Sequence, residues 1–579
     1  GTLFNTETID FTGGMNTISA PHLIGKNESR ALVNVDIQKG SLASMPTLKL
    51  VTTALNRYFV QFKKDLYYYN RFRTNAFLGN NMYWADGLTT GKVLWDGREL
   101  PLGIVTPNTP PVISAVNAGN GPHKGDFKYC YTFYSTDTGV ESAPSPLTPY
   151  LTVDGDDIRV GGMLALPAEA NRYRIYRIGG YLPRFAMVAE IENTQTPYDD
   201  KLDDTEIDGR ILQTLQSQAP LAGMNDFVEL KGRLFGSHGA NVYFSALGNP
   251  DAWYINDFYT MPDDITGMAK SPAGLLVFGK NFTYLLLGTA PQNFRLKVIS
   301  NELGCIARES IAYVNETAIW LGTTGIFTSN GYGITNLTAD KIDKIANISP
   351  TSACVINEVY YASFKPLLTP RTGLYPHKGL YPAGVKGTSI ASEGIIVMDF
   401  KRGNRYSYSL YDYGNIASLG IKDGVPHVVT ATSNVIFLPC DAPLECDGTI
   451  QCSQYDLNSI GQYKGNNFTK LMYISPQFID GSFSTLKEYD KVRLNLWGDF
   501  TVKVMFSDGS IAVKENVVSD YKESQVKSTD GILLGFNRDA TTIIGIPNKS
   551  NKSYSIGFVI EGTGTIKSIQ YSWKPRELP

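Results

Sequence analysis

The sequence predicts an all-β, multi-domain protein, and three observations carry that expectation. Aromatic residues make up 12% of the chain, with 34 Tyr against 6 Trp, a composition that suits pleated, half-buried surfaces. Charged residues reach only 18%, too few for long amphipathic helices with solvated faces. Short runs of alternating apolar and polar residues recur along the chain, punctuated by 55 Gly and 30 Pro. At 579 residues the chain exceeds what one core holds, and roughly three or four domains are expected.

The alternating runs come in pairs. Tyr58–Phe62 and Leu66–Tyr69 flank a Lys-Lys-Asp turn, and Gly274–Gly279 and Thr283–Leu287 flank Lys280-Asn281. Ala318–Gly322 leads through Thr-Thr-Gly into Ile326–Thr328. Val359–Phe364, Ile395–Phe400 and Ala417–Leu438 continue the series. Repeated hairpins at roughly forty-residue spacing, without covalent staples, predict propeller blades. An irregular array of β-sandwiches is the competing arrangement, since no clear blade signature such as a recurring Trp-Asp is present. Helical periodicity is scarce; residues 205–218 and 335–348 are the only candidates.

Residues 107–222 read as an inserted module entered through Pro107–Pro111. The order Lys128–Tyr134, the turn Asp137-Thr-Gly139, Glu141–Pro146, Tyr173–Arg177, Ala186–Ile191 resembles a fibronectin type III-like sandwich. Such modules usually serve spacing or adhesion. Val492–Trp497, Phe500–Phe506, Tyr554–Ile560 and Ile566–Trp573 alternate cleanly and predict a C-terminal β platform. The expected division is residues 1–106 as an N-terminal β segment with the first propeller strands and 107–222 as the insertion. Residues 223–439 would form the β-propeller-like body and 440–579 the platform.

Net charge is −3, so no overall basic field exists to hold nucleic acid or an anionic membrane. No apolar stretch approaches the roughly 20 residues a membrane-spanning helix needs. The opening GTLFNTETIDF lacks the basic and apolar regions of a signal peptide. Cys130, Cys305 and Cys354 sit in apolar strand-like runs and read as reduced packing residues.

Several segments together resemble the tail nozzle family (tail tubular protein B) of short-tailed bacteriophages. Near the start stand Asp10–Asn16 (DFTGGMN), Pro21–Glu28 (PHLIGKNE), Asn34-Val-Asp36, Gly40 and Met45-Pro46. In the middle stand Leu230–Gly236, Val242–Ser245, Asn249–Trp253, Asp264–Gly267, Leu276–Gly279 and Gly304-Cys305. The motifs lie chiefly in residues 10–46 and 227–335, and their order carries the specificity. The resemblance implies a structural virion protein of the tail, assembled in the host cytoplasm, in a homo-oligomeric ring of six copies. Such a ring sits below the portal and head-to-tail adaptor and docks tail fibre or tail tip proteins. It extends the channel for genomic double-stranded DNA, without sequence specificity, and takes part in ejection.

The leading candidate site is the loop Lys365–Ser389, which holds Gly-Leu-Tyr-Pro twice and is rich in Pro and Gly. Lys365, Arg371, Tyr375, His377, Lys378, Tyr381 and Lys386 give it cations and aromatics with no acid inside the span. So long a connection between strands points to a channel or gate loop that touches phosphates. A solvated loop without a role is the plainer alternative.

Asp199, Asp200, Asp203, Asp204, Glu206 and Asp208 form an acidic run that resembles half a calcium loop. Leu215 stands where the twelfth-position Glu belongs, so a solvated turn is expected. Cys440, Cys446 and Cys452 have the wrong spacing for zinc and read as free thiols, with a disulfide inside the cluster as the alternative if the protein matures outside the cytosol. His22, His123, His238, His377 and His427 are scattered singly among turns, and no nucleophile elbow, zincin pair or phosphate loop occurs. The expectation is a non-enzyme without metal or cofactor, although a glycosidase pair needs only two carboxylates that converge in space. A carbohydrate-binding or adhesive propeller is the alternative, because Tyr and Trp stack well on sugars.

Overall fold

The computed structural model describes all residues except 1–3, 10, 17–22, 39–40, 45–48, 54–57, 194–196, 214–217, 340–347, 367–393, 401–406, 412–415, 431–433, 438–442, 447–449, 454–469, 483, 520–524, 528–532, 536–540, 548–550 and 577–579. The described chain is all-β, as its alternation requires, and divides into two compact units. One joins residues 1–71 to 305–579; the other is residues 72–304.

The first unit is built on two long antiparallel strands, Lys487–Phe506 and Ile556–Pro575. Val492, Leu494, Leu496, Phe500, Val502 and Val504 alternate inward along the first and are fully buried. Burying each such side chain contributes about 1.5–3 kcal/mol. Gly498 and Gly562 let the pair bend closely: a Cβ on Gly498 would lie 2.2 Å from the Thr563 carbonyl oxygen. The chain's N-terminal strands complete this sheet. Asn5–Ile9 and Ser41–Ser44 pair with Ile556–Pro575, and Ala31–Val33 pairs with Leu471–Ile474. The platform thus needs residues from both ends of the sequence.

Each unit contains blade-like, propeller-like antiparallel meanders of four strands. In the first unit, Ala312–Val314, Thr317–Gly322, Gly325–Ser329 and Thr335–Asn336 form one. Ile416–Lys422, Val425–Thr430 and Asn434–Phe437 form another, whose fourth strand is Lys49–Thr53 from near the N-terminus. In the second unit, the meander Thr74–Leu78, Asn81–Ala85, Thr90–Val93, Glu99–Pro101 is followed in sequence by the inserted module. The sheet that begins at Asp226–Leu230 and the meander Ile265–Ser271, Gly274–Gly279, Thr283–Leu287, Arg295–Ser300 come after it.

The module is the fibronectin type III-like sandwich. Strand Leu151–Gly161 serves both faces: its first half pairs with His123–Tyr134, its second with Val112–Val116 and Tyr198–Asp200. His123–Tyr134 also pairs with Arg172–Gly179, which pairs with Leu182–Ile191. Tyr129, Tyr131, Phe133, Tyr173, Ile175, Ile158 and Val160 fill the core. The Ser-Pro segment expected after the turn at Gly139 is an extended strap with a three-residue repeat. Ser142, Ser145 and Thr148 each donate a backbone N–H to the carbonyls of Phe133, Tyr131 and Tyr129. Their hydroxyls accept from the backbone N–H of those same residues, at 2.9, 3.1 and 3.0 Å. Pro144 and Pro146 fall where no donor is required.

The first helix expectation fails, and the second is contradicted only at its two ends. Among the described residues of 205–218 only Thr205–Ile207 are helical, as part of the single turn Asp204–Ile207, capped by Asp203 and Glu206 reciprocally. Gly209 then takes φ 96°, and Ile211 bridges to Ala186. At 335–348, Thr335–Asn336 is a strand and Ile348 opens another, while 340–347 lie outside the described residues. Asn336 Oδ1 accepts from the Thr338 N–H and hydroxyl, both at 2.9 Å, a local turn that competes with a helix. No helix among the described residues is long and apolar enough to cross a membrane.

Candidate functional site

Polar side chains converge most densely at one end of the module. Strand Arg172–Gly179 turns Tyr173, Ile175 and Arg177 inward, so a guanidinium enters the apolar face and is fully buried. A buried cation persists only with partners. Arg177 Nη1 donates to Asp200 Oδ2, and Nη2 donates to Asp204 Oδ1 at 2.7 Å and to the Leu202 carbonyl at 2.9 Å. Asp200, fully buried too, also accepts from the Tyr129 hydroxyl at 2.7 Å and from the Leu202 N–H at 3.0 Å. A register shift between His123 and Lys124 re-aims the imidazole. Its Nδ1 donates to the Asp156 carbonyl oxygen at 3.0 Å, while Nε2 accepts from Arg177 Nη1.

Electrostatics follow from this arrangement. Burial alone would raise the Asp200 carboxyl, but the adjacent His123 imidazole, the charge of Arg177 and bonds from Tyr129 and Leu202 hold it below the ordinary 3.8. Burial, then the Asp200 charge, pushes the Tyr129 hydroxyl well above its usual range. Asp200 therefore stays ionised beside Arg177, and Tyr129 stays a hydroxyl that donates to it.

It fixes a hairpin tip. Gly179 and Gly180, at φ 124° and 59°, carry the chain over the edge of Phe127. A Cβ on Gly180 would lie 2.5 Å from Asp204 Oδ2. That same carboxylate oxygen accepts from the Tyr181 N–H at 2.8 Å, and the Tyr181 side chain is 95% exposed. Asp203 and Glu206 cap the adjoining helical turn, and both are exposed beside Asp208.

A second network lies on the opposite face of strand His123–Tyr134. Glu141 accepts from Thr132 at 2.7 Å, from the Tyr176 hydroxyl, and from Arg174 at 2.8 Å. Arg174 also bonds Glu190 at 3.0 Å and stacks 3.4 Å from the Tyr134 ring. Burial, then Glu141, raises the Cys130 thiol to about 12, so it packs as an inert apolar group. Cys305 and Cys354 are likewise buried and unbridged.

These findings correct two expectations. The acidic run is not simply a solvated turn: Asp200 is fully buried, Asp203 is a cap, Asp204 anchors Tyr181, and Asp199 pairs with Arg159 at 2.6 Å. His123 is not an isolated turn residue but a buried member of the network. The loop candidates Arg371, Tyr375, His377, Lys378, Tyr381 and Lys386 lie outside the described residues, and Lys365 is placed only by its backbone, opposite Ser349. His22, His377 and Cys440 also lie outside them, as does Leu215. Among the described residues, no group of three or more His, Cys, Asp or Glu side chains could hold a metal ion.

No protein-family model matches the chain, and no curated protein matches it. Among solved structures, the computationally designed Ika8 protein is similar at 9% identity and TM-score 0.27, over 68% of this chain and 99% of that one. BamB from Moraxella catarrhalis is similar at 10% identity and TM-score 0.26, over 67% of this chain and 97% of that one. BBS1N, crystallised in complex with ARL6DN, is similar at 12% identity and TM-score 0.21, over 58% and 99%. Likenesses of this size identify no family for the chain.

Proposed function

We propose that the chain is a structural virion protein, the subunit of a tail nozzle ring that extends and closes a DNA channel below a portal and adaptor. The observation that supports this reading most is the order of the motif segments in residues 10–46 and 227–335, together with the work their residues perform. In the opening motif, Glu28 Oε2 accepts from Asn16 Nδ2 at 2.9 Å and from the Gly25 N–H at 3.2 Å. Gly13 lies where a Cβ would meet the Asn27 carbonyl at 2.7 Å. In the middle motifs, Lys231-Gly232 takes two positive φ angles, the geometry of a tight hairpin. Asp251 is buried against Lys92 at 2.7 Å, and Trp253 stacks on Phe227. Gly236 leaves room for Met224 and that stack. Every one of these residues sets a turn, a close approach or a buried pair, and an architecture held this way suits a load-bearing shell.

A mild net charge also suits a conduit, because DNA that must slide should meet few phosphate-binding cations. In this reading Lys365, Arg371, Tyr375, His377, Lys378, Tyr381 and Lys386 form the gate, partnered by portal, adaptor, fibre or tip proteins and six copies of the chain. Electron microscopy of the native assembly tests it. Rings with an open axial channel attached below a portal are expected; finding the chain on a cell surface or a lateral fibre ends the reading. Deleting residues 371–386 tests the gate, and full retention and ejection of DNA without them would remove it.

One feature favours the adhesive, carbohydrate-binding alternative. Trp95 is 65% exposed on a turn fixed by its own N–H to Asn81 Oδ1 at 2.9 Å. Glycan-array binding lost on Trp95→Ala would support that alternative over a nozzle.

A further inference from the structure

Charge is divided unevenly along this chain. Residues 107–222 hold fifteen acidic and nine basic residues, a net −6, although the whole chain is only −3. The remainder is therefore net positive. Residues 265–300 in the same compact unit hold Lys270, Lys280, Arg295 and Lys297 and no acid. The last strand of that meander, Arg295–Ser300, pairs only with Thr283–Leu287 among the described residues. Arg295, Leu296, Lys297 and Val298 are all exposed, so alternation gives the strand a basic face and an apolar one with neither covered.

Two such basic edges repel each other and do not pair, which is how natural sheets guard an edge. An oppositely charged surface is not repelled. The module supplies one: it is net −6, and Asp126, Asp203, Glu206 and Asp208 are exposed on the segments that adjoin the Tyr181 hairpin, beside the fewer exposed bases Arg184, Lys201 and Arg210. Buried charges are costly to keep, and here Arg177 and Asp204 hold the backbone beneath Tyr181 in one place. An exposed tyrosine on a fixed backbone has the composition of an interface anchor. In the structure it touches nothing in its own chain that would cover it.

We propose that the acidic, Tyr181-bearing end of the module docks on the basic edge strand Arg295–Ser300 of a second copy of this chain. Tyr181 packs against the Leu296 and Val298 row on one face of the strand, and Asp203 and Glu206 reach across its open edge to Arg295 and Lys297. The two surfaces differ, so the contact is head-to-tail, and repeating it generates a ring where the rotation closes and a filament where it does not. The proposal rests on the ring reading above only in supposing that copies associate.

Sedimentation velocity of the full chain at low and high salt tests it. Self-association is expected at low salt and is expected to weaken as salt screens the charges. Arg295→Glu with Lys297→Glu, and separately Asp203→Lys with Glu206→Lys, should each weaken it about tenfold or more. All four changes in one chain restore complementarity and should restore association. Tyr181→Ala, which keeps every backbone bond of the tip, should weaken it similarly. Association indifferent to both reversals would overturn this contact and leave the ring reading standing. A wild-type chain that stays monomeric at the highest concentration in low salt would overturn it too. The ring reading itself is decided separately, by microscopy of the native assembly.

Discussion

Asp200 in the module and Asp480 in the long-strand unit are both buried aspartates, and their surroundings push them in opposite directions. Asp200 meets a guanidinium, a tyrosine, a backbone N–H and an imidazole, and it stays ionised below its ordinary pKa. Among the described residues Asp480, 3% exposed, accepts from the Tyr571 hydroxyl at 2.7 Å on Oδ1, while its Oδ2 has no hydrogen-bond partner. The nearest cations are engaged elsewhere: Lys487 Nζ donates to the Ser482 and Tyr554 carbonyls, and Lys26 pairs with Glu7. Burial therefore raises Asp480. The difference teaches that burial sets the cost of a charge, while committed partners decide whether the charge is kept.

The largest expected effect breaks the satisfied site. Arg177→Met removes the only buried cation facing Asp200 and strands that carboxylate. Loss of one partner from a buried pair costs about 3–5 kcal/mol. Hydrogen exchange across Leu151–Gly161 and Arg172–Gly179 should show the module opening while the long strands keep their protection. Uniform loss in both units would mean that the network holds more than the module. The tip should also be released, with faster exchange at the Tyr181 N–H.

The strap gives a smaller effect. Ser145→Ala removes the acceptor for the buried Tyr131 N–H but leaves the backbone bond in the other direction. An unsatisfied buried donor costs about 1–3 kcal/mol. Ser145→Thr, which keeps the oxygen, should recover most of it. Urea unfolding of both variants checks the pair, and equal losses would show that the hydroxyl bond contributes nothing.

How far the sequence foretold each region follows from chain distance. Alternation in Val492–Phe506 is local, and it marked the inward residues correctly. The return of Asn5–Ile9 to that sheet is carried by pairing across nearly the whole chain, which no local pattern encodes. The module network joins residues 123, 129, 177, 200 and 204, and an acidic run alone looks the same whether solvated or buried. One signal was available. Tyr173, Ile175 and Arg177 share a strand phase, and a cation in the inward phase demands a buried acid. The gate loop offers no periodicity, so sequence gave it composition and charge but no geometry.

The smallest effect sharpens the comparison most, because its sign reverses between the units. For Asp200 the folded value lies below 3.8, so its contribution is complete above 3.8 and is lost as pH falls through the lower folded value. For Asp480 the folded value lies above 3.8, so between the two values the folded state holds more protons than the unfolded one. The long-strand unit should then gain stability as pH falls through the raised value, and lose it again only for other reasons. Asp480→Asn mimics the neutral form, keeps an acceptor for Tyr571 and adds a donor where Oδ2 stands alone. Above the raised value it should leave the long strands as stable or slightly more so, within about 1 kcal/mol, and it should abolish their gain on acidification. Asp200→Asn, by the same substitution, should destabilise the module at neutral pH by leaving the buried Arg177 with Asp204 as its one remaining carboxylate partner among the described residues. Segment-resolved hydrogen exchange at two pH values reads all four cases, and a common sign for both asparagine variants would show that partners do not decide the fate of a buried carboxylate here.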